Sequence, residues 1–556
     1  MSEPTSCTPE ARPGSSRPHE DCEATPILEA RGLVETYSSR RVVDGMPFRS
    51  ILFDESDIST VVDGRETAEL FTDLNLDQTV ASITAGREEY NLTPFFYMPL
   101  SRVETINYRH DILRDLENEA LLGHVRSFAQ KMRAMRGHLT QADKLHYTLQ
   151  QQRWFLEAAD IYCNAVACLT HDLRLANVRS RGFLALGEYL THYTKSPEFA
   201  SLAADTQKLK ADLSAIRYCL HLKGKRIKVS GYDSEPDYGA EVLRTFEKFK
   251  QGAAREYRFD FDSAPYMNHV EAAILDRVAR LHPEVFASLE QYCHRHRDYL
   301  DPTIGGFDRE VQFYVAFIEH LERFKPAGLS FCYPTVTNRS KEVYGREVFD
   351  LALAHKLTQE GTPVVSNDFY LKNPERIFVV SGANQGGKTT FARTFGQLHW
   401  LASIGCPVPG REAKLFLFDR LFTHFEREED LRNLSGKLED DLLRIHRILQ
   451  RATPRSILIM NESFLSTTLD DALFLSKQII ERIIQRDMLC VSVTFLDELA
   501  SLAESTVSMV ATVDPQAPTV RTFRIVRKPA DGLAYAAAIA EKYRLTYQSV
   551  KERIAP

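Results

Sequence analysis

Residues 381–390 read SGANQGGKTT, and Gly382, Gly386, Gly387, Lys388 and Thr389 fit the pattern Gly-x-x-x-x-Gly-Lys-Ser/Thr. Glycines at that spacing let backbone N–H groups turn inward around phosphate oxygens, and a helix starting at the lysine adds the positive end of its dipole. Lys388 would reach the β- and γ-phosphates and the Thr389 hydroxyl would bind Mg²⁺. The whole stretch, with Ala383, Asn384, Gln385 and Thr390, is the expected ATP-binding loop. A second chemical stretch is ILIMNESFLSTT, residues 457–468, where Glu462 ends an apolar, β-branched run. A carboxylate at a strand end facing a phosphate loop suits orienting or deprotonating an attacking water. An ATPase usually has an aspartate before that glutamate; here the residue is Asn461. Asn461 can hydrogen-bond a magnesium-bound water but lacks the negative charge, so Mg²⁺ affinity is expected to fall. A plainer reading, an asparagine that merely ends the strand, stands beside it.

Both stretches need a rigid support, and the sequence after about residue 335 supplies one. RIFVV, SILIM and MLCVSVT are short, apolar and β-branched, with helical segments between them, the pattern of a parallel sheet covered on both faces. The chain has 556 residues, 44% hydrophobic and 26% charged, enough for several domains. Residues 1–26 are rich in Pro, Ser and Glu and are expected to be a disordered tail. Residues 27–94 form a small mixed segment, and 95–335 are mostly helical. In that region Ile106, Ile112, Leu113, Leu116, Leu121, Leu122, Val125 and Phe128 are spaced so that one helix face can bury them. HLKGKRIKVSGYDSEPDYG interrupts the helices with a strand-like core, read as part of an insertion at about 220–265 at the far end of a helical arm. Residues 336–556 are the expected ATPase domain. The nine cysteines lack a repeated spacing, and no secretory signal or apolar run of about 18 residues is present, which predicts a reduced, soluble, cytoplasmic protein with no membrane partner. The cluster Cys293-His294-Arg295-His296 has no second ligand pair at a finger-like spacing and is not read as a zinc site.

Four stretches in order carry a family resemblance: SGANQGGKTTF, SIGCPVPGREAKLFLFDRLFTHFEREEDL, SILIMNESFLSTTLDDALFL and CVSVTFLDEL. They resemble the successive ATPase motifs of the MutS family, the dimeric DNA mismatch-repair ATPases. SNDFYL upstream and DGLAYAAAIAEKYRLT near the end extend the likeness over about residues 345–556, and FYMPLSRVETINYRHDIL resembles the family's core segment. The resemblance implies an ABC-type α/β P-loop ATPase domain preceded by a mostly α-helical core with lever arms. It further implies ATP and Mg²⁺ as cofactors, a homodimer, and DNA as partner. It places the catalytic carboxylate at Glu462, the γ-phosphate sensor position at Phe495 where the family has histidine, and the partner-facing signature loop at Ser435 and Gly436. Asp470 falls in the loop that crosses the dimer interface and reads equally well as a helix-start acid. Three altered polar positions beside an intact loop and glutamate predict slow hydrolysis.

Members that read mismatches carry a Phe-x-Glu wedge on an N-terminal domain. Phe53-Asp54-Glu55 matches the triplet, but little chain precedes it to build a rigid platform, so a short paralogue lacking the N-terminal mismatch-reading domain is expected. The net charge of −7 means that any DNA contact must come from local patches. Lys223, Lys225, Arg226 and Lys228 are the densest basic run in the helical arm, suited to phosphates and equally to solvent, whereas Arg521, Arg524, Arg527 and Lys528 are read as a solvated face. The combined expectation is a MutS-like DNA-binding ATPase, cytoplasmic or nucleoid-associated, coupling ATP binding to engagement of mismatched, branched or damaged DNA in repair or recombination. The alternative is a nucleotide-gated scaffold for protein partners.

Overall fold

The computed structural model describes residues 48–54, 64–234, 238–247, 267–426, 436–464, 466–514, 516, 520–530, 545 and 547–554. The chain divides into two compact units, residues 115–308 and the remainder. The tail at 1–26, Ser435 and the stretch DGLAYAAAIAEKYRLT apart from Leu545 lie outside the described residues.

The continuous apolar face expected from Ile106 to Phe128 is split between two helices, α1 (Val103–Leu116) and α2 (Glu119–Lys144). All eight residues are buried, but the helix restarts at Asn118, whose side chain accepts the N–H groups of Ala120 and Leu121. A residue that satisfies the first orphan donors of a helix serves better as its cap than in its interior. In the helical unit α2 packs along α3 (Thr148–Leu175), followed by α4 (Arg181–Tyr193) and α5 (Pro197–Ser214). Ser180 and Ser196 cap the last two by accepting the N–H groups of Phe183 and Phe199. The interruption then forms an antiparallel hairpin, β1 (Tyr218–Lys223) and β2 (Arg226–Gly231). Helices α6 (His269–Leu281), with an Asn268–Glu271 capping box, and α7 (Pro283–Arg295) close this unit.

The other unit holds a smaller four-stranded sheet that includes β3 (Asn367–Leu371), and a six-stranded sheet. The larger sheet is built from β4 (Ile377–Gly382), β5 (Leu421–Phe425), β6 (Ile457–Asn461), β7 (Leu489–Val493), β8 (Thr506–Val513) and β9 (Arg521–Arg527). Its spatial order is β5-β6-β7-β4-β8-β9, parallel from β5 to β8, with β9 antiparallel at the edge. Strand residues alternate between two buried faces. Phe378 meets Phe391 and Phe395 of α8 (Lys388–Ser403), each with ring centroids 5.9 Å away. Ile377, Val379, Leu458, Met460 and Cys490 face the other way, into a core shared with α9 (Lys437–Arg451) and α10 (Leu469–Gln485). Helices on both faces explain why these strands read as unbroken apolar runs.

Candidate functional site

The loop after β4 is shaped by steric necessity. Gly382 has φ 104°, and a Cβ there would lie 2.8 Å from the Ala511 carbonyl oxygen of β8. A Cβ on Gly386 would lie 2.8 Å from the Ala383 carbonyl and 2.9 Å from the Ala511 Cβ. Only glycine permits this close approach of loop to neighbouring strand. Gln385, at φ 59°, adopts the left-handed conformation between them. Gly387, at φ 93°, caps α8, so the helix starts at Lys388 with its N-terminus at the loop.

Lys388 is buried, and its Nζ donates to the Gly382 carbonyl at 2.9 Å and to Asn384 Oδ1 at 3.0 Å. Burial lowers its pKa below the ordinary lysine value, while the carboxylates of Glu462 and Asp497 oppose that shift. The next residue, Thr389, donates its hydroxyl to Asn461 Oδ1 at 2.8 Å, joining the start of α8 to the end of β6. Thr390 lies in the first turn of α8, its carbonyl accepting the Thr394 hydroxyl. Glu462 follows directly, its N–H held by the Val493 carbonyl at 2.9 Å, in a left-handed conformation of φ 53°. The structure therefore brings Lys388, Thr389, Asn461 and Glu462 to the same end of β4 and β6, two strands with β7 between them, beside the glycine loop. The asparagine does more than end a strand, because its oxygen fixes the threonine hydroxyl.

Other candidates fall around this centre or away from it. Phe495, expected at a sensor position, stands just beyond β7, 47% exposed, and offers no polar side-chain atom. Gly436 is the N-cap of α9, with no side chain to contribute, and Ser435 lies outside the described residues. Asp470 sits in the first turn of α10, behind the Thr468 cap, where a carboxylate suits the helix dipole. In the helical unit the hairpin register sets Lys223 opposite Arg226 and His221 opposite Lys228, so these side chains share one face while Lys225 occupies the turn. Leu220, Leu222, Ile227 and Val229 take the other face. Phe53 is half-buried with the Arg109 guanidinium 5.1 Å from its ring, and Glu55 lies outside the described residues. The run on β9 departs from a merely solvated face. Arg521 Nε donates to the Asn384 carbonyl at 3.1 Å, Arg524 to the Ser366 carbonyl at 2.9 Å, and Arg527 pairs with Glu375. Charge density alone carries no sign of such neighbours, because they come from the loop and from the residues flanking β3, far away in sequence.

Two further features escaped the sequence reading. Phe464, wholly buried, has φ 64°, a strained state for a bulky side chain. His424 of β5 is also buried and touches Ser463, the residue after Glu462.

Among the described residues no helix is long and apolar enough to cross a membrane. Residues 378–552 match the family model of MutS domain V. Over 295 residues the chain is 26% identical to the DNA mismatch repair protein MutS of Thermotoga neapolitana, covering 50% of this chain and 34% of that protein. The corresponding protein of Thermotoga maritima is 26% identical over 288 residues, 49% of this chain and 34% of the relative. That of Chlorobium phaeobacteroides is 24% identical over 383 residues, 66% of this chain and 42% of the relative. The chain thus spans about a third of the length of the first two relatives. The nucleotide-type loop and most of the parallel sheet that carries it lie within the stretch matched by that family model, so the C-terminal part of this chain is similar to MutS domain V.

Proposed function

We propose that the chain is a MutS-like ATPase that binds ATP with Mg²⁺ at the Gly382–Thr390 loop, hydrolyses it slowly, and couples nucleotide state to DNA engagement. The observation that carries this reading is the convergence of the Lys388 ammonium, the Thr389 hydroxyl, Asn461 and the Glu462 carboxylate beside one glycine loop. The backbone of that loop and the start of α8 would cradle the phosphates, and Lys388 would turn from its own loop to the β- and γ-oxygens. Thr389 and, through water, Asn461 would hold Mg²⁺. Their oxygens suit a hard cation, and with no carboxylate between them the phosphates must supply most of the grip. When bound, the ion neutralises charge developing on the phosphates. Glu462 would orient and deprotonate the attacking water.

In a homodimer the start of α9 at Gly436, with Ser435, would complete the partner's site. The basic face of the β1–β2 hairpin would contact DNA phosphates without reading sequence. Mismatched, branched or damaged DNA met in repair or recombination is the proposed target, in the cytoplasm or on the nucleoid. A second reading, a nucleotide-gated scaffold with little turnover, draws on Asn461 and on the exposed apolar Phe495.

ATP turnover with Mg²⁺, alone and with duplex or branched DNA, tests the proposal beside Lys388→Ala and Glu462→Gln. Slow, DNA-responsive turnover lost in both variants is expected. Binding without hydrolysis under every condition favours the scaffold, and absence of nucleotide binding overturns both readings.

A further inference from the structure

Glu462 sits in a turn that its own backbone does not favour: Glu462 at φ 53° and Phe464 at φ 64° are both left-handed. Such conformations persist only where the surroundings over-determine them. Two side chains from other elements do so here. His424 of β5, 1% exposed, places Nδ1 3.0 Å from Ser463 Oγ and Nε2 3.3 Å from the Asp441 carbonyl oxygen of α9. The tautomer protonated on Nε2 satisfies both ends, donating to the Asp441 carbonyl and accepting the Ser463 hydroxyl. The Asp441 carboxylate lies 3.7 Å from His424 Nε2 and feels the favourable field of the Phe464 backbone N–H. Helix α9 is fastened to the same strand by Arg444, which donates to the Phe425 carbonyl at 3.1 Å, and by Lys437, 2.6 Å from Glu426.

We infer that His424 and Asp441 are positioning residues that hold the Glu462 turn in its working conformation and tie it to helix α9. Neither reaches the loop or Lys388; both act through Ser463 and Phe464. The inference rests on the proposed hydrolytic role of Glu462. It adds that a shift of α9 relative to β5 reaches the carboxylate through two hydrogen bonds, without any change in the phosphate loop. A carboxylate displaced by such a shift would leave nucleotide affinity intact while slowing the chemical step.

The test pairs hydrogen exchange with kinetics on the full chain, comparing the parent with His424→Phe, His424→Gln and Ser463→Ala. In His424→Phe the turn at residues 461–467 should exchange about tenfold faster while residues 382–390 keep the parent rate. The same variant should lose about 10- to 100-fold in kcat with the Kd for Mg·ATP unchanged within about twofold. His424→Gln, which keeps a donor and an acceptor, should recover most of both losses. Ser463→Ala should reproduce the exchange effect if His424→Phe does not fold. Unchanged exchange in the turn, or equal acceleration in turn and loop, overturns the positioning role. A parent that hydrolyses no ATP overturns the proposed function instead, and the exchange comparison still decides whether the clamp exists.

Discussion

The left-handed Phe464 sets two effects against each other, and their sizes decide the outcome of Phe464→Gly. Glycine would relieve the steric cost of φ 64°, worth about 1–2 kcal/mol for an L-residue. It would also empty a fully buried site in the core formed with Phe422, Met460, Leu449 and Ile445. Truncation of a buried phenylalanine costs about 3–5 kcal/mol, and the added freedom of glycine in the unfolded chain costs roughly 0.5–1 kcal/mol more. The cavity wins, and the variant should be less stable by about 2–4 kcal/mol. The two tryptophans allow a clean assay, because Trp154 belongs to the helical unit and buried Trp400 to the unit that holds Phe464. In a Trp154→Phe background, urea unfolding followed by Trp400 fluorescence should show the midpoint falling by about 1 M or more, given slopes of about 1–3 kcal/mol per molar urea. Phe464→Leu, which keeps the strain and most of the volume, should fall less. A midpoint for Phe464→Gly equal to or above the parent's would refute this reasoning and make relief of backbone strain the larger of the two effects at the turn.

Asn461→Asp should keep the Thr389 contact, add a negative charge, and lower the Mg²⁺ concentration for half-maximal turnover by about tenfold; an unchanged Mg²⁺ requirement would remove Asn461 from the metal's surroundings. Burial holds the pKa of His110 and His399 down to about 4 and that of His320 to about 3, below the ordinary 6.5. The unfolded chain therefore takes protons that the folded unit refuses, so the stability is present above pH 6.5 and lost as pH falls from there toward 4. Trp400-monitored midpoints across that window should decline, and a flat profile would contradict the burial of these rings. Lys225→Glu with Arg226→Glu should weaken duplex binding about tenfold or more and flatten its dependence on log salt by about one to two units; affinity that survives intact would take the hairpin out of DNA contact.

The sheet strands and the phosphate loop were legible because each is encoded locally: unbroken β-branched runs, and glycines at fixed spacing before a lysine. The helix break at Asn118 was missed because the apolar spacing continues across it, while the cap bond that restarts the helix depends on one side chain. Asn461 was legible as a departure from a motif, but its bond to Thr389 depends on residues 72 positions apart. His424, Asp441 and the Arg521 contact with Asn384 were invisible for the same reason. Each joins elements that the topology, and not the local pattern, makes neighbours.

The two hydrogen bonds from Lys388 to its own loop leave one N–H of its ammonium for a first ligand oxygen, so capture begins as an addition and becomes an exchange only beyond it. A second or third ligand oxygen competes with Gly382 and Asn384 for the remaining N–H groups. Bonds to a charged donor contribute about 1.5–3 kcal/mol each, so a ligand offering one acceptor oxygen gains a single such bond and leaves the loop's own pair in place. A ligand with several phosphate oxygens, reinforced by the loop's N–H groups, more than replaces both. On the proposed reading the loop would favour a polyphosphate over an anion that offers a single acceptor, before any contact with a base or sugar enters the selection.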